Sequence, residues 1–186
     1  EEIVADVLIN AAGAWAQEIG LLAGAAHIPL VPYRRHLFVT QPLDWVQAEW
    51  PIIWDLSQDI YFRPESGGLL LCPCDEEAQR PGDAADDPTV LQMLADKVMR
   101  FYPKLSDLPI RRSWAGLRTL TPDRLFTLGW DPSLEGFFWL AGLGGHGVTV
   151  SYSVGLLAAR LITQKIPTQL AVELAPDRFC EHRDVT

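Results

Sequence analysis

The segment Leu140-Ala141-Gly142-Leu143-Gly144-Gly145-His146-Gly147-Val148-Thr149 holds the residue types best suited to meeting a ligand. An apolar run, Phe137-Phe138-Trp139-Leu140, precedes it and reads as a buried strand. An apolar-periodic run from Val150 to Ile162 follows and reads as a helix. Glycines between the two let the backbone turn sharply and approach a bound group closely. The first N–H groups of a helix are unpaired and carry the positive end of its dipole, so they attract electron-rich oxygens. The spacing Gly142-x-Gly144-x-x-Gly147 matches a dinucleotide fingerprint. That fingerprint also requires a second parallel strand and an acid about 20 residues on. Here the helix runs into Lys165-Ile166-Pro167, and Glu173 lies in no strand pattern. The pyrophosphate-binding reading is therefore rejected. Two readings stay open: a loop and helix end facing a bound group, or a tight strand-to-helix turn with no ligand.

Three more side chains carry chemistry. Arg118 follows an apolar strand pattern beside Gly116, and its planar fork matches a carboxylate with two hydrogen bonds. A structural ion pair with Asp123 is the alternative. Tyr61 offers a phenol, as a donor or as a half-buried sheet residue. His146 offers a ring nitrogen, but a histidine in a glycine loop also serves as a structural hydrogen-bonder, and no base role is assigned to it. No residue is assigned as catalytic.

The elements that would position these residues are legible as patterns. Val4 to Ile9 reads as a fully buried strand leading into Asn10-Ala11-Ala12-Gly13, and 14–25 as a helix. Leu30 to Thr40, Ile52 to Leu56, Ile60 to Arg63 and Leu69 to Cys72 read as strands. Pro64-Glu65-Ser66-Gly67-Gly68 signals a hairpin between the last two. Asp75 to Asp87 reads as an exposed acidic loop. Pro88 to Tyr102 has helical periodicity, with Asp87 as N-cap and Pro88 in the first helical position. Ile110 to Leu120, Phe126 to Trp130 and Phe137 to Ala141 return to strand character. The expected class is α+β, with a mixed, largely antiparallel sheet and flanking helices.

Bulk composition bounds the partners. The 186 residues are 48% hydrophobic with a formal net charge of -9, which argues against nucleic acid and anionic membrane surfaces. No apolar stretch is long enough to span a bilayer. Three cysteines without framework spacing fit a reduced, cytoplasmic protein. Cys72 and Cys74 flank Pro73 and share a face if the run is a strand; with no companion pair, no zinc site is expected. Buried structural thiols are the better reading, with Cys180 a loose C-terminal residue.

Four segments occur in a set order: Val7-Leu8-Ile9-Asn10-Ala11-Ala12-Gly13-Ala14-Trp15, Pro32-Tyr33-Arg34-Arg35-His36, Ser113-Trp114-Ala115-Gly116-Leu117-Arg118 and Gly142-Leu143-Gly144-Gly145-His146-Gly147. Together they resemble the C-terminal part of the D-amino acid oxidase family of FAD-dependent oxidoreductases, in its glycine oxidase and D-amino acid dehydrogenase branches. The resemblance runs on to Leu174-Ala175-Pro176-Asp177-Arg178-Phe179. It implies a division into 1–29 (strand and helix of an FAD domain), 30–120 (a substrate domain) and 121–186 (a return to the FAD domain). The glycine fingerprint unit that opens family members is expected to be absent.

The resemblance also implies site roles. Ala11, Ala12, Gly13 and Trp15, with Gly142, Gly144, Gly145, His146, Gly147, Val148 and Thr149, would lie against FAD. Arg118 would take a substrate carboxylate, with Tyr61 and His146 beside it. The implied reaction is hydride transfer from Cα of a small amine or D-amino acid to flavin N5, the imine then hydrolysing to an oxo acid. The family's sarcosine branch places a lysine where Thr149 stands and a flavin-linked cysteine near Gly116; neither is present, so the FAD is expected to be non-covalent. Arg35 departs from a glycine common at its place. Without the fingerprint unit, this chain is expected not to hold FAD tightly or to act alone, and either to self-associate or to work with a missing N-terminal half. The alternative is a catalytically silent binding or interaction module derived from the family.

Overall fold

The computed structural model describes residues 2–164 and 168–180. In chain order its elements are β1 (Leu8–Asn10), α1 (Ala16–Ala23), β2 (Val31–Thr40), β3 (Ile53–Asp55), β4 (Ile60–Glu65), β5 (Gly68–Cys72), β6 (Glu77–Ala78), α2 (Pro88–Phe101), β7 (Ile110–Leu120), β8 (Thr127–Trp130), β9 (Phe137–Ala141), α3 (Gly147–Thr163) and α4 (Gln169–Glu173). The class is α+β, with strands pairing mainly antiparallel. The chain divides into two compact units. The first holds 1–32, 79–81 and the chain from 118 onward; the second holds 33–78 and 82–117.

The first unit is built on a three-stranded sheet in the order β1-β9-β8. β1 runs parallel to β9, pairing Leu8 with Phe137 and Asn10 with Trp139, and β8 runs antiparallel to β9. β9 is apolar throughout because both of its faces are covered. Phe138 packs with Leu128 and with Val154, Ala158 and Leu161 of α3. Phe137, Trp139 and Ala141 point the other way, onto Ala16, Ile28 and Leu30. Trp139 is fully buried, and a Cβ at Gly20 of α1 would collide with its ring.

A single carboxylate ties these pieces together. Asp131 Oδ2 accepts from Trp139 Nε1 at 2.8 Å and from the Ala26 amide at 2.9 Å. Its Oδ1 accepts from the amides of Ser133 and Leu134 at 2.8 and 2.7 Å.

The second unit centres on the order β3-β4-β5-β2-β6, with β7 also paired to β2. Phe38, Ile60, Leu69 and Leu71 from one sheet face pack on Val90, Leu94 and Val98 of α2, an i, i+4, i+8 stripe. Asp87 caps α2 as expected, accepting from the Thr89 amide at 2.9 Å.

The structure corrects three expectations. The strand read over Val4 to Ile9 shrinks to Leu8–Asn10, and it is not buried: Val4 is 91% and Leu8 51% exposed. β1 has β9 on one side only, so its apolar residues lack the second neighbour that a parallel strand needs. The acidic stretch 75–87 is not simply a solvated loop. Asp75 is buried against His36, accepting from its backbone amide at 2.9 Å and pairing with its ring Nδ1 at 2.7 Å. Glu77–Ala78 forms β6 on β2. Cys72 and Cys74 do not share a strand, because β5 ends at Cys72.

Removing the Asp131 carboxylate leaves four donors without their acceptor. Each buried orphan costs about 1–3 kcal/mol, partly relieved by water. Asp131→Ala is expected to lower unfolding free energy by about 2–4 kcal/mol. Urea denaturation followed by tryptophan fluorescence measures it, and a loss below about 1 kcal/mol would show that solvent replaces the carboxylate.

Candidate functional site

β1 and β9 are parallel neighbours, so the chain leaves both at the same end of the sheet. Asn10 stands opposite Trp139 at that end. Beyond Asn10 comes the turn Ala11–Trp15, and beyond Ala141 the glycine segment. Ligands of α/β sheets gather at the carboxyl ends of parallel strands.

Asn10 builds the first turn. It is 2% exposed, donates from Nδ2 to the Ala16 carbonyl at 2.8 Å and accepts the Ala12 amide at 3.3 Å. This fixes the small residues Ala11, Ala12 and Gly13 at the surface, with Gly13 at φ +57° and open space where a side chain would stand. Trp15 is 46% exposed beside them. The sequence gives Asn10 no role of its own beyond its motif; the signal for one is a polar residue ending an apolar strand.

The second turn is set by backbone contacts. Gly144 has φ +54°, its amide donates to the Thr119 carbonyl at 3.0 Å, and a Cβ there would come within 2.6 Å of Leu120. Glycine adopts that conformation without strain, and a Cβ there would have to push the Leu120 side chain aside. The contact joins the glycine segment to the end of β7, where Arg118 lies. A Cβ on Gly145 would come 3.0 Å from the Arg118 guanidinium carbon, so the absence of a side chain is what lets the guanidinium lie against this loop. α3 then starts at Gly147, with His146 in the N-cap position.

This helix begins three residues earlier than the periodicity indicated, which places Val148 and Thr149 in its first turn. No side chain caps it, and its first turn holds no acid. An uncapped helix end beside an arginine is an electropositive corner. His146 is exposed, its ring 6.3 Å from that of Phe126. Below lies a cleft of about 440 Å³ lined by Phe126, His146, Val150, Leu157, Leu170 and Leu174.

The structure thus brings Arg118 together with Gly144, Gly145 and the start of α3. Tyr61 stands in the second unit, among different partners. On β4 it pairs with Cys72 of β5, and its ring meets Trp54 edge-on at 6.2 Å.

Asp123, the alternative partner considered for Arg118, is engaged by Arg178. Arg178 Nε donates to it at 2.8 Å, and the same guanidinium bonds the carbonyls of Leu174, Ala175 and Phe126. Burial works to raise the Asp123 carboxyl. The hydrogen bonds from Arg178, Thr121 and the Leu125 amide outweigh it and bring the group down to about 2.

The family model for FAD dependent oxidoreductases, DAO, matches residues 1–161. The chain belongs to the DAO family. It is 29% identical over 172 residues to the hydrogen cyanide synthase subunit HcnC of Pseudomonas aeruginosa, covering 90% of this chain and 39% of that protein. Among solved structures, L-proline dehydrogenase from P. horikoshii matches with a TM-score of 0.81 and 30% identity, over 93% of this chain and 46% of that one. Glycine oxidase from Geobacillus kaustophilus shares the fold, with a TM-score of 0.77, 24% identity and coverage of 95% and 46%. The chain thus spans less than half the length of each. Among the described residues no helix is long and apolar enough to cross a membrane.

Asp123 gives a pH prediction. Its folded pKa lies below the ordinary 3.8. Its contribution to stability is therefore fully present above that value and lost as pH falls towards about 2. The expected outcome is that Tm declines between about pH 4 and pH 2 less steeply in Asp123→Asn than in the parent chain. Equal slopes in thermal melts would remove Asp123 from the acid response.

Proposed function

We propose that this chain supplies the substrate-binding and flavin-facing C-terminal part of an FAD-dependent oxidoreductase that acts on a small amino acid or amine. The observation that carries the reading is the Arg118 guanidinium against Gly145 at the uncapped start of α3, in a chain of the DAO family. L-proline, in the name of the 30% identical dehydrogenase, is a small amino acid bearing a carboxylate.

The residues present suit the ring end of FAD. The turn Ala11–Gly13 is side-chain-poor and open, Trp15 flanks it, and Gly142, Gly144, Gly145, His146, Gly147, Val148 and Thr149 form the facing loop and helix start. When bound, FAD supplies a hydride acceptor at N5. Arg118 would hold the substrate carboxylate through two charge-assisted bonds and so fix which way Cα points. The α3 N-terminus would favour negative charge placed beside it. His146 is placed to touch either ligand. Tyr61 lies on a sheet we assign to substrate binding, within the division 1–29, 30–120 and 121–186.

In the FAD-loaded protein, Arg118→Ala is expected to lower kcat/KM for carboxylate substrates by about 2–4 kcal/mol, roughly 30- to 1000-fold. Amines without a carboxylate should change far less. Equal losses for both substrate kinds would make Arg118 structural.

No segment within these residues carries the fingerprint that holds the ADP half of FAD. We therefore expect no stoichiometric FAD binding in equilibrium dialysis at micromolar chain; finding it would defeat this expectation. A colourless chain that also fails to complement a fingerprint-bearing half would favour an interaction module instead. Ile3 and Val4, ahead of β1, are 86% and 91% exposed, and Leu8 and Ile9 of β1 are 51% and 50% exposed; one edge of β1 is unpaired among the described residues. Such an edge invites pairing with a second copy or a covering half. Light scattering on the dialysed samples reads self-association, which Ile9→Lys should weaken. A monodisperse parent chain would exclude it.

A further inference from the structure

In the second unit, the carboxyl end of β5 gathers two thiols, a phenol and a guanidinium. Cys72, the last residue of the strand, is fully buried. Tyr61 stands opposite it on β4, and its hydroxyl donates to the Cys72 sulfur. Pro73 ends the strand, and Lys97 Nζ holds the Pro73 carbonyl at 2.7 Å. Cys74 then takes a left-handed conformation, φ 54°. That reversal turns its amide back to Cys72 Sγ at 3.4 Å and brings its thiol into hydrogen-bonding reach of the same sulfur.

Cys72 and Cys74 are both unbridged, and Cys74 is partly exposed. Arg35 of β2, its side chain 11% exposed, faces both sulfurs while Nη2 bonds Glu76 at 3.0 Å. No cluster of three metal-ligating side chains occurs among the described residues.

We propose that Cys72 and Cys74 are a redox-active dithiol that a hydroperoxide converts to an intramolecular disulfide. The two sulfurs are close before any reaction, one is reachable from solvent, and a fixed positive charge sits beside them. These are the conditions that favour a reactive thiolate with a resolving partner.

The hydrogen bond from Cys74, helped by Tyr61, the Cys74 amide and the Arg35 charge, outweighs burial and brings the Cys72 thiol down to about 6. Donation to Cys72 pushes the Cys74 thiol up. The proton therefore rests on Cys74 and the negative charge on Cys72.

The reaction balances with hydrogen peroxide as oxidant. The Cys72 thiolate first takes the proton of Cys74, and the Cys74 thiolate so formed attacks one peroxide oxygen. The O–O bond breaks, hydroxide leaves and Cys74 becomes a sulfenic acid. Hydroxide takes the proton now on Cys72 and becomes water. Cys72 then attacks the Cys74 sulfur, the S–O bond breaks, and the second oxygen leaves as hydroxide. Two electrons pass from the sulfurs to the peroxide. Closure removes the charge that faces Arg35 and the acceptor that holds the Tyr61 hydroxyl.

The test uses the reduced chain, freed of reductant and treated with a small excess of hydrogen peroxide at neutral pH. Under denaturing conditions the thiol count should fall from three to one. The intact mass should drop by two hydrogens, and a single peptide should carry the linked Cys72 and Cys74. Cys180→Ser should keep the mass loss, with the count falling from two to none. Cys74→Ser should abolish the mass loss, leaving at most an added oxygen. A disulfide that includes Cys180 would overturn the proposal. So would Cys72 and Cys74 both remaining free thiols while Cys180 is oxidised.

Discussion

The first unit depends on one carboxylate in a nearly dry place. Asp131 is 8% exposed and receives four hydrogen bonds from three parts of the chain. Two of them close the turn before β9. One holds the indole of Trp139 in the orientation that fills the space over Gly20. The fourth fixes the Ala26 amide, at the passage from α1 towards β2. A buried acceptor that satisfies several donors stabilises little beyond what its loss would cost, but it rejects alternative arrangements. Here the arrangement it selects is the course of β9. From β9 follow the exit of Gly142, the Gly144 contact with Thr119 and, through that contact, the place of Arg118.

The second unit solves the same problem with a charged network. The Asp87 amide donates to His36 Nε2 at 3.0 Å, so that nitrogen is an acceptor and the ring proton sits on Nδ1, facing Asp75. Arg34, 8% exposed, reaches Asp87 at 2.8 Å and also pairs with Glu77. Asp87 is at once the cap of α2 and the partner of two residues of β2, so the helix start is pinned to the strand. Of these pairs His36–Asp75 is buried; a buried pair is a poor source of net stability, and removing one member costs more than the pair contributes. Their effect is on register: α2 must lie where Val90, Leu94 and Val98 meet the sheet.

The sequence showed the elements more clearly than their neighbours. β7 and β9 fall where period and residue type put them, and the Asp87-Pro88 start of α2 needs only local capping chemistry. Asp75 was misread because an acid in an acidic stretch looks solvated; what buries it is His36, 39 positions away. The hairpin was legible, yet its turn is tighter than the span 64–68. Ser66 and Gly67 alone form it, with φ of 51° and 79°, a pair that suits a two-residue hairpin. That tightening sets the register that places Tyr61 opposite Cys72. Arg118 could be chosen by type and context, but its nearness to Gly145 arises from a Gly144–Thr119 backbone contact that no local pattern encodes.

Magnitudes limit what the electropositive corner can do by itself. A helix end contributes about 0.3–1 kcal/mol to an exposed anion and up to about 2 in a partly buried place. A charge-assisted bond to arginine adds about 1.5–3 kcal/mol. The sum, about 2–5 kcal/mol, corresponds to a carboxylate held with a Kd between tens of millimolar and a few tenths of a millimolar. An anion site of this kind orients a ligand without selecting it. In the proposed function, selection among small amino acids would have to come from surfaces other than Arg118 and the α3 start, and small ligands offer few atoms for that purpose. The apolar residues left bare around β1 and the open turn at Gly13 point the same way. In the proposed function, Arg118 and the α3 N-terminus would act as one wall of a site whose affinity depends on further walls, and geometry would be their contribution to it.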